Sequence, residues 1–338
     1  MPSAKYFLNI VSGIRFEKIK YCLDRCHEMS GRNRVAMFFD MIGCSMKYGS
    51  GYYDYMMYGF FDKRTKRDTY LTRVRNKQIL DYMNDAEIGE KIENKNEFMK
   101  YFAKYMKRSA LDGRTASLED FEIFMAGKDA IFAKPEDGSS GQGVEKLFKK
   151  DYESLEEMYK YIKSKGDCVI EECIVQHPEM SKLYPHAINC MRIVTDRIGD
   201  EVHIAYVILK CGRGDSYCDN SGRGGLITAV DKKTGVVTSI ATDDFIEHHF
   251  DKHPDTGIEF KGFKIPMYEE ALAMCREAAM MVPEVRHVGW DVGISDKGPV
   301  FVEGNIWPGT DLVQLYYNTP DGVGVLPFYR EILPELHL

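Results

Sequence analysis

Three groups of residues in this 338-residue chain have types and spacings suited to phosphate chemistry. The first is Phe132–Val144, FAKPEDGSSGQGV, where an apolar run delivers Lys134 and a loop then supplies Gly138, Ser139, Ser140, Gly141 and Gly143. Glycine lets backbone N–H groups approach a phosphate closely, and serine adds hydroxyl donors, although the same composition also makes an ordinary turn. No Lys-Ser or Lys-Thr pair closes the loop, so it is not a Walker-type P-loop. The second group lies in VGWDVGISDKGPVFVEGNI, which reads as a hairpin. A three-residue loop at 296–298, with Gly298 left-handed, would pair Ser295 with Pro299, Ile294 with Val300, Val292 with Val302 and Asp291 with Glu303. Asn305, two residues on, then shares the face of the carboxylates. Two carboxylates side by side repel unless a cation sits between them. Oxygen ligands from Asp, Glu and Asn suit Mg²⁺, which also takes substrate phosphates; a solvated polar face is the alternative. The third group is cationic: Arg192, Lys210, Arg213 and Arg223 would clamp a triphosphate or an acyl-phosphate, though each singly is also a common surface residue. The histidines of Glu247–Pro254, EHHFDKHP, lack a matching Cys or His set nearby and read as a loop rather than a zinc site.

These residues need elements to position them. Residues 1–90 read as mostly helical, with an aromatic stretch, Tyr48–Phe61, followed by a basic one, Lys63–Lys77. Such a pair suits aromatic packing with a solvated basic face, or else contact with a membrane or RNA. Beyond residue 91 the pattern predicts a helix over 95–107, a strand over 130–134 and a helix over 151–163, with Ser154 and Glu157 spaced as a capping box. Strands are expected at 168–174, 188–195, 201–210, 225–231 and 235–240, then a helix stopped by Pro283 and the final hairpin. Helices mixed with antiparallel strands predict an α+β fold.

Composition limits the function. With 45 Lys and Arg against 52 Asp and Glu, the net charge of −7 argues against a general nucleic-acid binder. Nine cysteines without a CxxC pair suit reduced thiols in a cytoplasmic protein, and no run is apolar enough to span a membrane.

Taken in order, an upstream lysine, KP-x-x-GSSGxG, the VIEE strand and the D…E-x-N hairpin resemble the ATP-grasp superfamily, in which D-alanine–D-alanine ligase shows the same succession. NKNEFMKYFAKYMKR, QHPEMSKLYPHAINCMRIVT, HPDTGIEFKGFKIP and the terminal hairpin are similar to the sugar-transfer-associated ATP-grasp group, linked to cell-surface polysaccharide biosynthesis. The resemblance implies a helical, aromatic-rich region at 1–90 and an ATP-grasp domain at 91–338, with a smaller lobe over about 91–165 and a C-terminal lobe over 166–338. ATP would lie between these lobes. Lys95 becomes the upstream nucleotide lysine, with Lys77 a rival, and Lys134 contacts the α- and β-phosphates under the 138–143 loop. Glu171, Glu172 and the backbone at Cys173–Ile174 match the adenine hinge, and Asp291, Glu303 and Asn305 the magnesium ligands. Arg192 is the candidate for the transferring phosphate. Many relatives carry Arg two residues before the metal-binding Asp, where this chain has Gly289, so Arg192, Lys210 or Arg213 would have to replace it. The implied activity is an ADP-forming carboxylate–amine ligase using ATP and Mg²⁺ on small, sugar-linked substrates, without nucleic acid. A kinase acting on a sugar-like hydroxyl, or an ATP-binding protein without catalysis, would use the same nucleotide site.

Overall fold

The computed structural model describes residues 16–136, 142–243 and 246–338. Two compact units make up the chain, one from residues 1–78 with 314–338 and the other from 79–313.

In the first unit, helices run over Phe16–Ser30, Arg34–Tyr48 and Tyr52–Met57. Asn33 starts the second of these by accepting hydrogen bonds from the Val35 and Ala36 N–H groups, and Gly49 ends it at a φ of 69°, where a side chain would be strained. The aromatic stretch becomes core: Tyr55, Tyr58, Phe60 and Phe61 are buried, with Phe60 edge-on to Tyr70 at 5.3 Å. Arg67, from the basic stretch, donates to both oxygens of Asp40 at 2.8 and 2.6 Å. Tyr55 donates to the same carboxylate at 2.7 Å. Gln314 ties in the C-terminal segment, accepting from the Leu71 N–H at 2.8 Å and donating to the Leu71 carbonyl at 3.0 Å.

The second unit carries two antiparallel sheets. Strands β1 (Ala110–Asp112), β2 (Ala130–Pro135), β3 (Glu145–Phe148) and β4 (Cys168–Glu172) form the first, in the order β1-β4-β2-β3. Phe121 and Met125 from the helix Leu118–Met125, and Met158 and Ile162 from the helix Leu155–Ser164, pack with Ile131 and Ile170 of this sheet. Ser154 caps the latter helix by accepting from the Glu157 N–H, but the Glu157 carboxylate accepts from the Glu153 N–H rather than from Ser154, so only half of the expected capping box forms. Because β4 pairs with both β1 and β2, the first sheet runs past residue 165, where the sequence placed the start of the second lobe.

Strands β5 (Met191–Ile198), β6 (Glu201–Cys211), β7 (Leu226–Val230), β8 (Ala241–Thr242), β9 (His249–Phe250), β10 (His287–Ser295) and β11 (Gly298–Asn305) form the second sheet, in the order β11-β10-β5-β6-β7-β8-β9. Trp290 stacks on Phe301 at 4.8 Å, with Phe98 and Phe102 around them, from the helix Lys95–Tyr101 and its end. Three expectations change. The helix expected over 95–107 breaks into Lys95–Tyr101 and Ala103–Met106. Residues 235–240 form no named strand, only isolated bridges at Val236 and Val237. The β10–β11 loop has two residues rather than three, since Ser295 pairs with Gly298, Ile294 with Pro299 and Val292 with Phe301. An irregularity between Asp291 and Val292 then restores the pairing of Asp291 with Glu303. The combination of helices with antiparallel sheets is otherwise the expected α+β architecture.

Candidate active site

A cavity of about 400 Å³ in the second unit is lined by Lys95, Glu136, Glu171, Glu303 and Asn305, among others. Gly304 helps shape it. A Cβ there would lie 2.6 Å from the Phe98 ring, so glycine lets the helix Lys95–Tyr101 press onto β11 and brings Lys95 beside Glu303 and Asn305.

One wall is an ion cluster built on β4. Lys134 Nζ pairs with Glu171 Oε2 at 2.7 Å. Arg108 donates two hydrogen bonds to that oxygen, at 3.0 and 2.9 Å, and a third to the Phe301 carbonyl at 2.6 Å. Arg108 therefore links the first sheet to β11. Burial alone would raise the Glu171 carboxyl, but Arg108 and Lys134 hold it down at about 2. Its ordinary value is 4.5, so ionised Glu171 stabilises the fold above that pH, and the contribution, on the order of 3 kcal/mol, is lost as pH falls through about 2. Glu171→Gln is expected to cost about 3–5 kcal/mol at neutral pH by leaving Arg108 and Lys134 without their carboxylate. The gap to the parent protein should narrow as the medium is acidified, which urea unfolding at neutral and acid pH measures.

A second cluster sits on β10 and its neighbours. Asp291 is buried and directly opposite Arg192 of β5 in the sheet. Arg192 donates to both carboxylate oxygens, Nη2 to Oδ2 at 2.9 Å and Nε to Oδ1. Lys210 of β6 reaches Oδ2 at 2.7 Å and lies 3.9 Å from Asp219. Burial opposes the charge on Asp291, yet Arg192 and Lys210 hold its carboxyl well below the usual range, and Arg192 and Lys210 are both raised. Glu303 goes the other way: burial and the charge of Asp291 push its carboxyl up.

A match to the family model described as sugar-transfer associated ATP-grasp extends over residues 74–321. The chain belongs to this family. Similar solved structures include the ATP-grasp ligase PsnB complexed with a minimal precursor, 14% identical over 75% of this chain and 64% of that one, with a TM-score of 0.45. D-alanyl-alanine synthetase A from Vibrio cholerae is 12% identical over 73% and 66% of the two chains, with a TM-score of 0.44. Carboxyaminoimidazole ribonucleotide synthase from Aspergillus clavatus, complexed with ATP, is 11% identical over 64% and 45%, with a TM-score of 0.41. The protein thus spans about 64% of the length of the PsnB chain. No curated protein sequence matches it.

In this ATP-grasp protein, Lys95, Glu171, Glu303 and Asn305 meet around one cavity, with Lys134 bound to Glu171. Arg192, Lys210 and Asp291 form the adjoining ion cluster, and Glu303 stands directly opposite Asp291 across β10 and β11. Arg213 is not brought there; its guanidinium lies over the Phe250 ring at 5.5 Å. The Glu172 carboxylate turns aside to accept from Ser109. The sheet ends at Glu172, leaving Cys173 and Ile174 in irregular backbone. Gly143 has a φ of 71° and a Cβ there would meet Pro135 at 2.6 Å, so the backbone at Gly143 itself lies close against the end of β2. Gly138, Ser139, Ser140 and Gly141 lie outside the described residues. His253, from the EHHFDKHP segment, is buried against the Gly212 carbonyl at 2.8 Å.

Sequence reasoning missed Arg108, Glu136 and Asp219. Glu136 pairs with Arg114 at 2.7 Å and accepts from Asn96 at 3.0 Å. Gly289 also acquires a physical role: a Cβ there would lie 2.9 Å from Arg192 Cδ and 2.8 Å from Pro308 Cβ. The position is kept empty so that the arginine of the neighbouring strand fits over it. Gly289→Ala is therefore expected to cost about 1–3 kcal/mol through crowding and to shift Arg192 off Asp291. Thermal unfolding, with a double cycle against Arg192→Ala, would show the two effects to be non-additive.

For a hard cation the available donors fit. Glu303 and Asn305, two residues apart on β11, face the cavity, and the Asn305 amide nitrogen points to the Gly289 carbonyl at 3.4 Å, leaving its oxygen as a ligand. Asp291 already balances two buried cations.

Proposed function

We propose that the protein is an ATP-dependent carboxylate–amine ligase that uses Mg²⁺ and acts on sugar-linked precursors of cell-surface polysaccharide. The observation that carries this reading is the buried Arg192–Asp291–Lys210 cluster beside Glu303, at the edge of a cavity that also presents Lys95 and Asn305. Bound magnesium would be held by Glu303 and Asn305 and would offset charge on the terminal phosphates. The substrate carboxylate oxygen attacks the γ-phosphorus while the bond to the β–γ bridging oxygen breaks, giving an acyl-phosphate and ADP. An amine then attacks the acyl carbon, phosphate leaves, and the amine nitrogen gives up a proton. No protein nucleophile is required. Lys95 and Lys134 bind and orient the phosphates, and Arg192, held flat by Asp291, presents fixed positive charge where negative charge develops.

The test is incubation with Mg-ATP, pooled amino acids and sugar acids, followed by mass analysis. An amide with one free phosphate per ADP supports the ligase. A phosphoester without free phosphate would make the enzyme a kinase, and ADP-free mixtures with every acceptor would sink both.

A further inference from the structure

The helix Arg34–Tyr48, RVAMFFDMIGCSMKY, is apolar on two opposite sides. Met37, Met41 and Cys44 are buried in the first unit. Val35, Phe39, Ile42 and Met46 follow at spacings of four, three and four, and are 64%, 65%, 40% and 67% exposed. Ala36 and Gly43 lie on the same side and are exposed as well. Asp40, the one charged residue within the helix's interior turns, points inward to Arg67 and Tyr55. An outer stripe with no charge in it, about 17 Å long from Val35 to Met46, is the surface of a helix that expects an apolar environment on both sides.

Charge selects the environment. Exposed Arg34, whose guanidinium also pairs with Asp24 at 2.6 Å, and exposed Lys47 stand at the two ends of the stripe. Residues 1–78 and 314–338 carry 16 Lys and Arg against 10 Asp and Glu, a net of +6, whereas residues 79–313 carry 29 against 42, a net of −13. We propose that this stripe docks on an anionic lipid bilayer surface, with Phe39, Ile42 and Met46 entering the acyl boundary and Arg34 and Lys47 among the headgroups. Two copies packed stripe to stripe would set the same positive units against each other, whereas anionic lipid answers both the apolar stripe and the charge. Among the described residues no helix is long and apolar enough to cross a membrane, so the contact lies along the surface. The aromatic stretch Tyr48–Phe61, the sequence's own candidate for such contact, instead sends Tyr55, Tyr58, Phe60 and Phe61 into the core.

The full chain is sedimented with phosphatidylcholine vesicles, with and without roughly 30% phosphatidylglycerol, at about 0.1 M salt. Binding to the anionic vesicles alone is expected, weakening as salt rises. Phe39→Ser with Met46→Ser should lower the partition by more than about tenfold, and Lys47→Gln alone by about fivefold. Circular dichroism and the thermal midpoint of each variant should match the parent, since the replaced side chains are exposed. Equal binding to both vesicle types, or binding to neither, overturns the proposal. So does a twofold mass in solution that the Phe39 and Met46 substitutions abolish without any vesicle binding, which would assign the stripe to a second copy of the chain.

Discussion

Replacing Asp291 with asparagine is expected to cost about 3–5 kcal/mol of stability and to abolish nucleotide turnover. The substitution preserves volume, so no cavity opens and the loss is electrostatic. Asp291 is 1% exposed and takes Arg192 on both oxygens and Lys210 at 2.7 Å. Without it, two cations remain in a dry site, and Asp219, 3.9 Å from Lys210, answers only one of them. Glu303 supplies a partial correction, because removing the charge of Asp291 lets the raised Glu303 carboxyl ionise more readily. That compensation pulls the expected loss toward the lower end of the range. Urea unfolding of the full chain measures it. Adding Arg192→Met to Asp291→Asn should recover part of the loss, since a buried ion pair removed whole costs less than one broken. An Asp291→Asn protein as stable as the parent would show that the cluster is not the buried ion network described.

Much of this site was legible because its residue types are unusual where they stand. Asp291, Glu303 and Asn305 share a short segment, and their common face follows from strand alternation. The pairing of Asp291 with Glu303 was right even though the loop was counted one residue too long. The extra residue lies instead in the irregularity after Asp291, which carries no sequence signal. Segment 235–240 shows the opposite case. GVVTSI has the composition of a strand, but Val236 and Val237 make only isolated bridges, to Lys264 and Val230. Arg108 was beyond reach for a different reason. Nothing in MKRSAL separates it from a surface cation, and its role arises where β4 meets β11, partners 63 and 193 residues away. Gly289 was legible only as a missing arginine. The reason for the glycine is the side chain of Arg192, and that requires knowing that β5 lies beside β10.

Glu303→Gln, unlike Asp291→Asn, is expected to leave stability intact while lowering ATP turnover by on the order of 10²–10³-fold. Burial and Asp291 raise the folded value of the Glu303 carboxyl above 4.5. Above the folded value, therefore, the ionised group opposes folding, and an uncharged amide of the same shape removes that opposition. The thermal midpoint at neutral pH should stay level or rise. The carboxylate is nonetheless what the proposed cation site needs, since the cavity presents Glu303 and Asn305 as oxygen donors while Asp291 is committed to Arg192 and Lys210. Glutamine keeps one oxygen but loses the charge that attracts a divalent ion. Turnover should fall together with cation affinity, read by titrating Mn²⁺ into the protein and following its electron paramagnetic resonance signal. A Glu303→Gln protein with full turnover and unchanged Mn²⁺ affinity would remove Glu303 from the cation site. Unchanged affinity with lost turnover would instead place Glu303 against the substrate. The paired outcomes at Asp291 and Glu303 separate the residue that holds the cluster together from the one that the cluster leaves free to bind.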